Sequence, residues 1–373
     1  MHNISVLDSC YGCGVCAAAC PHQVIDMQES HRGFYEPHIN NSDLCTQCGI
    51  CLSICGFHNI ESEESEIISS FAGWSDNIKR RQVASSGGVA YEIASHAIAK
   101  GYIYCGVKYD ALKNRAVHYN CVNIDGLAHS LGSKYIPSLS QFALQRFSFK
   151  EKYIVFGTPC FIASLRRWIR LKKKEDSFIL VDFFCHGVPS LRVWDKYINE
   201  YGLEGKHVAW RDKKTGWHDS WYIVAKDEHD KEVYRSPHVG VDDFYRFFLG
   251  HYGLSPCCVH SCKYKQAASS ADIRLGDMWG QTYASNEQGV SSVVCFTERG
   301  KQFVSENEHI ILTPHPFPVV AEGQMHANAS KPWGYSMANL LLRTPLRLRQ
   351  ILSLIKWCHD LLTIPTRIIH KLH

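Results

Sequence analysis

Several absences narrow this 373-residue sequence. No run of about 18 uncharged apolar residues occurs, so no membrane-spanning helix is expected. The opening stretch MHNISVLDSC has neither a basic nor an apolar segment, so no secretory leader is expected. Forty Lys and Arg face 36 Asp and Glu, a formal net charge of +4, too mild to argue for nucleic acid. There is no GxGxxG fingerprint, no low-complexity segment, and no internal repeat beyond one doubled cysteine block. What the chain has in excess is cysteine, 17 in all. In a long chain without a leader, cysteine points to a reducing compartment and metal ligation, not to disulfides, and the cytoplasm is the expected location. At 45% apolar and 20% charged the composition is that of a globular protein of two or three domains.

The doubled block is CYGCGVCAAACP followed by CTQCGICLSICG. Cys10, Cys13, Cys16 and Cys20 run C-x2-C-x2-C-x3-C, and Cys45, Cys48, Cys51 and Cys55 repeat the spacing, with Gly56 where Pro21 stood. Three thiolates at this step reach three corners of one cubane, while the fourth faces away toward the other cluster. Crossed ligation predicts Cys10, Cys13, Cys16 and Cys55 on one [4Fe-4S] cluster and Cys45, Cys48, Cys51 and Cys20 on the second. Zinc knuckles usually take two cysteines each, and disulfides need an oxidising compartment. Small residues between the ligands let backbone N–H groups approach the cluster sulfurs. The segment resembles bacterial two-cluster ferredoxins. It is too short for much apolar core, so the clusters are expected to act as its core.

The acidic, serine-rich ESEESEIISS reads as a linker. Beyond it, Ser85, Ser86, Gly87 and Gly88 precede a helical pattern ending at Gly101, then a strand from Tyr102 to Tyr109. Glycines at a helix start free N–H groups for an anion, or simply cap the helix. LGSKYIPS places Lys134 beside Gly132 and Ser133. A strand at Tyr153 to Phe156 leads through Gly157 and Thr158 to Pro159 at a helix start, with Cys160 where the dipole favours thiolate. A second strand, Phe178 to Phe184, ends at Cys185 and His186. Strand–helix–strand predicts parallel neighbours with both cysteines at the carboxyl edge of one sheet, where α/β folds bind ligands. The helix after Cys160 carries Arg166, Arg167, Arg170 and Lys172 to Lys174, which either steer an anionic partner or form a solvated face. Residues 207–235 read as a β-meander. A strand from Asp272 to Leu275 ends at Gly276 and Asp277. Cys257, Cys258 and Cys262, with Cys160 and Cys185, are candidates for a third cluster at a spacing that matches no standard motif; otherwise they are free buried cysteines.

SSGG, GSKYIPS, FGTPCFIASLRR, DFFCHGVPS and ADIRLGDMWG stand in one order behind ferredoxin cysteines. Together they are similar to the coenzyme F-420 hydrogenase/dehydrogenase beta-subunit family, over about residues 1–320, and closest to bacterial members found among polysaccharide-biosynthesis genes. The resemblance implies an iron–sulfur flavoprotein with FAD on the core. By position, Ser86, Gly87, Gly88, Gly132, Ser133, Lys134, Tyr135, Gly157, Thr158 and Pro159 would line the flavin. Cys160 and the pair Cys258 and Cys262 would help hold a core cluster, with Cys185 as a further candidate. Two departures stand out: the family's C-x2-C is here Cys258-x3-Cys262, and a usual arginine is Ser269. A flavin would join one-electron clusters to a two-electron substrate. His186 is the first candidate to carry the proton, with Asp277 and Lys134 behind it.

The tail TPLRLRQILSLIKWCHDLLTIPTRIIHKLH reads as a helix with Thr344 as N-cap and Pro345 at its first position. Leu348, Ile351, Leu352, Ile355 and Leu362 make an apolar stripe, and six basic residues oppose Asp360. Such a helix either lies on an anionic membrane face or docks on the core or a second subunit. The expected organisation is an α+β ferredoxin-like domain (1–60), a linker (61–72), an α/β core with a β-meander insertion (73–335) and a basic amphipathic C-terminal helix (336–373). The expected activity is electron transfer from ferredoxin or another low-potential donor, through clusters and FAD, to an unidentified sugar or glycan. The alternative is a subunit that relays electrons to a partner enzyme.

Overall fold

A computed structural model describes residues 2–59 and 65–369, the side chains of 364–369 excepted. The N-terminal segment holds two short helices, α1 (Val15–Ala19) and α2 (Ile50–Ser53), and a hairpin of β1 (Ile25–Glu29) and β2 (Tyr35–Ile39). Cys13, Cys16 and Cys20 flank or lie on α1, and Cys48, Cys51 and Cys55 do the same for α2. The segment is not isolated from the rest. Ile4, Ala17, Val24, Ile25, Met27 and Leu52 join one buried cluster with Leu191, Trp194 and Phe244 of the core. Its apolar surface therefore has a protein partner in the core, in addition to the cluster sites expected to act as its own core.

The core is built on one nine-stranded mixed sheet. Its elements are β3 (Ser69–Ser75), α3 (Ile78–Val83), α4 (Val89–Ala99), β4 (Ile103–Asp110), β5 (Arg115–Cys121), α5 (Ile124–Ala128), β6 (Ser138–Leu139), α6 (Gln141–Leu144), β7 (Tyr153–Phe156), α7 (Pro159–Leu171) and β8 (Phe178–Phe183). Then come α8 (Leu191–Tyr201), three strands β9 (His207–Ala209), β10 (Val224–Lys226) and β11 (Glu232–Arg235), α9 (Asp243–Leu249) and α10 (Pro256–His260). The chain closes with β12 (Ile273–Asp277), β13 (Ser291–Cys295), α11 (Glu298–Ser305), β14 (Ile310–Pro314), α12 (Phe317–Val320), α13 (Tyr335–Leu341) and α14 (Leu348–Ile369). Strand order is β14-β3-β13-β12-β8-β7-β4-β5-β6, with β12, β8, β7 and β4 mutually parallel. β7 and β8 are the parallel neighbours that the strand–helix–strand reading requires. β9, β10 and β11 form a separate antiparallel sheet where the meander is expected.

Period-two alternation sets the layers. Ile154, Ile179, Val181 and Ile273 turn toward Val89 and Ile93 of α4 and Phe303 of α11. Tyr153, Val155, Phe178 and Leu180 turn toward Phe161, Ile162, Leu165 and Ile169 of α7. Each such buried side chain stabilises the fold by roughly 1.5–3 kcal/mol against its exposed state.

Two expected boundaries shift. Residues 61–64 of the expected linker lie outside the described residues, and its end, from Ser69, is strand β3, paired on both sides with β13 and β14. Acidic and serine-rich composition concealed the alternation of Ser70, Ala72 and Phe71 within a half-buried strand. The C-terminal helix begins at Leu348, not at Pro345. The Thr344 hydroxyl donates to the carbonyl of Leu341 behind it, and Gln350 accepts the Arg347 N–H. Leu348, Ile351, Leu352 and Ile355 are buried on the core, whereas Leu362 is 68% exposed with Leu354, Trp357 and Leu361. Most of the stripe is thus occupied by the protein itself. No described helix is long and apolar enough to cross a membrane.

Candidate functional site

Two cavities sit inside the N-terminal segment. One is lined by Cys20, Cys45, Cys48 and Cys51. The other is lined by Cys10, Cys13, Cys16 and Cys55. The cavities divide the eight thiols into the two sets that crossed ligation requires. Gly12, Gly14 and Gly49 have φ of 70°, 74° and 76°, left-handed values that bend the cysteine loops inward at little steric cost. Among the described residues no three His, Cys, Asp or Glu close tightly around one ion. Thiols spaced around a cavity fit a bulky cluster better than a single zinc. Burial pushes the Cys10 thiol up to about 12 and Cys13 to about 11. Metal uptake at these sites must therefore displace protons.

The two sets differ in surroundings. Cys48 is exposed, as are Leu44, Thr46 and Gln47 beside it. The Cys10 set faces the core. Ser140 Oγ donates to the Cys13 carbonyl at 2.6 Å, Tyr11 donates to the Ser261 carbonyl at 2.7 Å, and Tyr264 donates to the Gly56 carbonyl at 3.0 Å.

A third group of cysteines lies at the junction. Cys160 occupies the first turn of α7, Cys185 follows β8, Cys258 lies on α10 and Cys262 just past it. Burial raises the proton affinity of Cys160 and Cys258, and charge on Cys185 or Cys262 adds to it in both, so the four share one neighbourhood. Cys257 does not join them, because its thiol donates to the Cys10 carbonyl at 3.2 Å. The helix dipole does not make Cys160 a ready thiolate: burial outweighs it and holds the thiol well above its ordinary value.

The loops SSGG, GSKY, GTPC, CHG and GDMWG gather at one edge of the sheet. The Ser133 N–H donates to Ser85 Oγ at 2.8 Å, which joins the first two. Gly87 is a packing requirement: a Cβ there would lie 2.4 Å from the Gly73 carbonyl oxygen. Gly157 leaves room for the Phe161 ring, 2.2 Å from where its Cβ would stand. Gly88 caps α4, Ser86 Oγ donates to the Val290 carbonyl, Thr158 Oγ1 lies 3.3 Å from Cys160 Sγ, and Pro159 opens α7. Around Gly132 the space is open.

The three expected proton carriers occupy this edge, but no described hydrogen bond joins them. Lys134 donates to the carbonyls of Ser130, Leu131 and Gly132 at 2.7, 2.9 and 2.8 Å, and burial lowers its pKa to about 7. Asp277 accepts from Trp217 Nε1 at 2.9 Å and pairs with Arg211 at 3.4 Å. His186 sits against Phe248 and His251, and burial, with His251 and Lys265 nearby, lowers its pKa to about 4. It is neutral at pH 7.

Sequence reading missed several residues here. Arg211 lies over Trp221, 4.4 Å from the ring centre, and Tyr135 stacks on the other rings at this edge, Trp221 and Phe248. Lys213 binds the carbonyls of Arg81, Ser86 and Gln288, with its pKa lowered by burial to about 7. It stands in DKKTG, which looked only like a turn. His118, on β5, is buried beside Phe161 with both ring nitrogens unpartnered, and Asn120 Oδ1 on the same face is unpartnered too. A lone histidine in an alternating strand gives no signal. Of the basic α7 face, Arg166 is buried against Asp272 at 3.0 Å and Arg170 pairs with Glu175, while Lys172 to Lys174 are exposed.

Residues 9–59 match the 4Fe-4S dicluster domain. Residues 150–315 match the C terminus of the coenzyme F420 hydrogenase/dehydrogenase beta subunit. The chain's core belongs to that family. With the dicluster segment in front, this family member is an iron–sulfur electron-transfer protein. Among solved structures it is similar to a chain of the F420-reducing [NiFe] hydrogenase complex from Methanosarcina barkeri, with 17% identity, a TM-score of 0.47, and coverage of 69% of this chain and 85% of that one. No curated protein matches the sequence.

Proposed function

We propose that this family member is an iron–sulfur flavoprotein oxidoreductase. It takes single electrons at the exposed cysteine set and delivers pairs at the sheet edge where SSGG, GSKY and GTPC meet. The observation that carries this reading is the line of three cysteine sets, from exposed Cys48, through the Cys10 set, to Cys160 at the edge of the sheet. When bound, the clusters would move one electron at a time, and the flavin would couple single electrons to pairs.

The protein's own residues do the rest. Cys10, Cys13, Cys16 and Cys55 would hold one cluster, and Cys20, Cys45, Cys48 and Cys51 the other. Cys160, Cys185, Cys258 and Cys262 would hold a third. The orphaned nitrogens of His118 and the open space at Gly132 fit a polar cofactor at this edge. Lys134 and Lys213, both poised near neutrality, hold protons at Nζ beside the SSGG and GSKY loops. The neutral ring of His186 at pH 7 has no ionisable proton to supply, and burial disfavours its taking one up. Tyr135, Trp221 and Trp279 form an aromatic stack at this edge with Arg211 over Trp221 and Trp279, a setting in which we take a sugar as the acceptor.

A second reading has its own support. The polar atoms of Ser85, Ser86 and Lys134 are already engaged within the protein. That favours a relay chain whose two-electron chemistry happens on a partner. Anaerobic purification decides between them. The flavoprotein reading expects about 8 iron per chain for two cubanes or about 12 for three, with equal sulfide and one releasable flavin. Iron and sulfide without flavin, and turnover only with a second polypeptide, would establish the relay. Zinc in place of iron would end both.

A further inference from the structure

Ser164 lies on α7, one turn beyond Cys160, and is 1% exposed. Its hydroxyl oxygen accepts the Gly56 N–H at 2.9 Å, lies 3.5 Å from Cys13 Sγ, and faces the Cys160 carbonyl at 3.3 Å. Gly56 follows Cys55, so this one side chain touches the loops of two ligands in the Cys10 set and the backbone of a cysteine in the core set. In the Cys20 set the described side-chain donor to a sulfur is Asn3 Nδ2, 3.5 Å from Cys45 Sγ; it comes from the N-terminal segment itself, whereas Ser164 comes from the core.

We infer that Ser164 is a positioning residue that donates a hydrogen bond to the Cys13 thiolate and thereby raises the reduction potential of the inner centre relative to the outer one. This rests on the iron–sulfur reading above. The chemistry is specific to the ligated state. A free Cys13 thiol can donate to Ser164, but a metal-bound thiolate has no proton and can only accept. The Gly56 N–H already fixes the serine oxygen, so the hydroxyl proton has two acceptors in reach: the long contact to the Cys160 carbonyl and the Cys13 sulfur. A hydrogen bond to a ligating sulfur offsets the extra negative charge of the reduced cluster, and such bonds are among the determinants of cluster potential. The effect falls on the inner centre alone. It makes that centre the better acceptor for an electron arriving at the exposed set, one step from Cys160.

The test is an anaerobic redox titration, followed by electron paramagnetic resonance, of the full chain as wild type, S164A, S164T and S140A. Ser140 grips the same loop through the Cys13 carbonyl and touches no sulfur, so S140A controls for loop disturbance. The expected result is a more negative midpoint for one cluster signal in S164A, with the other unmoved, and near wild-type values in S164T and S140A. Loss of one cluster's iron in S164A but not in S164T also supports the hydroxyl contact. An unmoved midpoint, an equal shift of both signals, the same shift in S140A, or equal iron loss in S164A and S164T would overturn it. A wild type with no reducible iron–sulfur signal would instead sink the iron–sulfur reading, an outcome distinct from two signals that Ser164 does not govern.

Discussion

Asp182 and Arg274 form a bidentate ion pair with almost no exposure on either side: Nε to Oδ1 and Nη2 to Oδ2 are both 2.7 Å. Asp182 lies on β8, three residues before Cys185, and Arg274 on the parallel neighbour β12. Ser269 completes the pair by donating to Asp182 at 2.7 Å.

Removing one partner leaves a buried charge without compensation. Arg274→Met is expected to destabilise the protein by about 3–5 kcal/mol, read by urea denaturation of the anaerobic holoprotein. A loss under ~1 kcal/mol would mean the pair is more hydrated than its burial indicates.

Crossed ligation predicts which cysteine substitutions act together. Cys20→Ser and Cys45→Ser should weaken the same spectroscopic signal, and Cys10→Ser and Cys55→Ser the other, with iron falling by up to about 4 per chain in each case. Signals that pair Cys20 with Cys10 would show that each sequence block ligates its own cluster.

Burial depresses the His118 pKa to about 4. As pH falls, the unfolded chain takes up the proton first, near 6.5, and the folded protein only near 4. Stability is thus intact above about 6.5 and falls by roughly 3 kcal/mol toward pH 4 on account of this group. His118→Phe should lose less stability between pH 7 and pH 4.5 than wild type, measured by chemical denaturation at both values. Equal losses would show that His118 is hydrated or finds a partner when bound cofactors are present.

Leu354, Trp357 and Leu361 are exposed apolar residues of α14 on which the expected membrane contact would have to rest. Binding to phosphatidylglycerol vesicles at low salt, followed by sedimentation, should weaken in Trp357→Ser while stability holds. Ile351→Ala, on the docked face, should instead cost about 2–5 kcal/mol of stability. Wild type that stays off vesicles would leave the core-docked face as this helix's only contact.

Much of the site was legible in advance. Cysteine spacing implied two four-thiol sets, and short apolar strands before Gly157 and Cys185 implied parallel β7 and β8. Strand β3 was not, because Ser69, Ser70 and Ser75 resemble linker until β13 and β14 pair with them. Nor was the start of α14, where Pro345 suited a first turn that the chain does not form.

The sequence by itself determined what is local: ligand spacing, the left-handed glycines of the cysteine loops and the alternation of the buried strands. These depend on neighbours a few residues away, so the chain encodes them directly. Only the tertiary structure decided that Cys258 joins Cys160, Cys185 and Cys262 while Cys257 turns to Cys10. Adjacent residues on a helix point about 100° apart, and which one faces the core depends on how α10 is laid against it. The same holds for Ser164, His118 and Lys213, whose roles come from partners brought close by packing across tens to hundreds of residues.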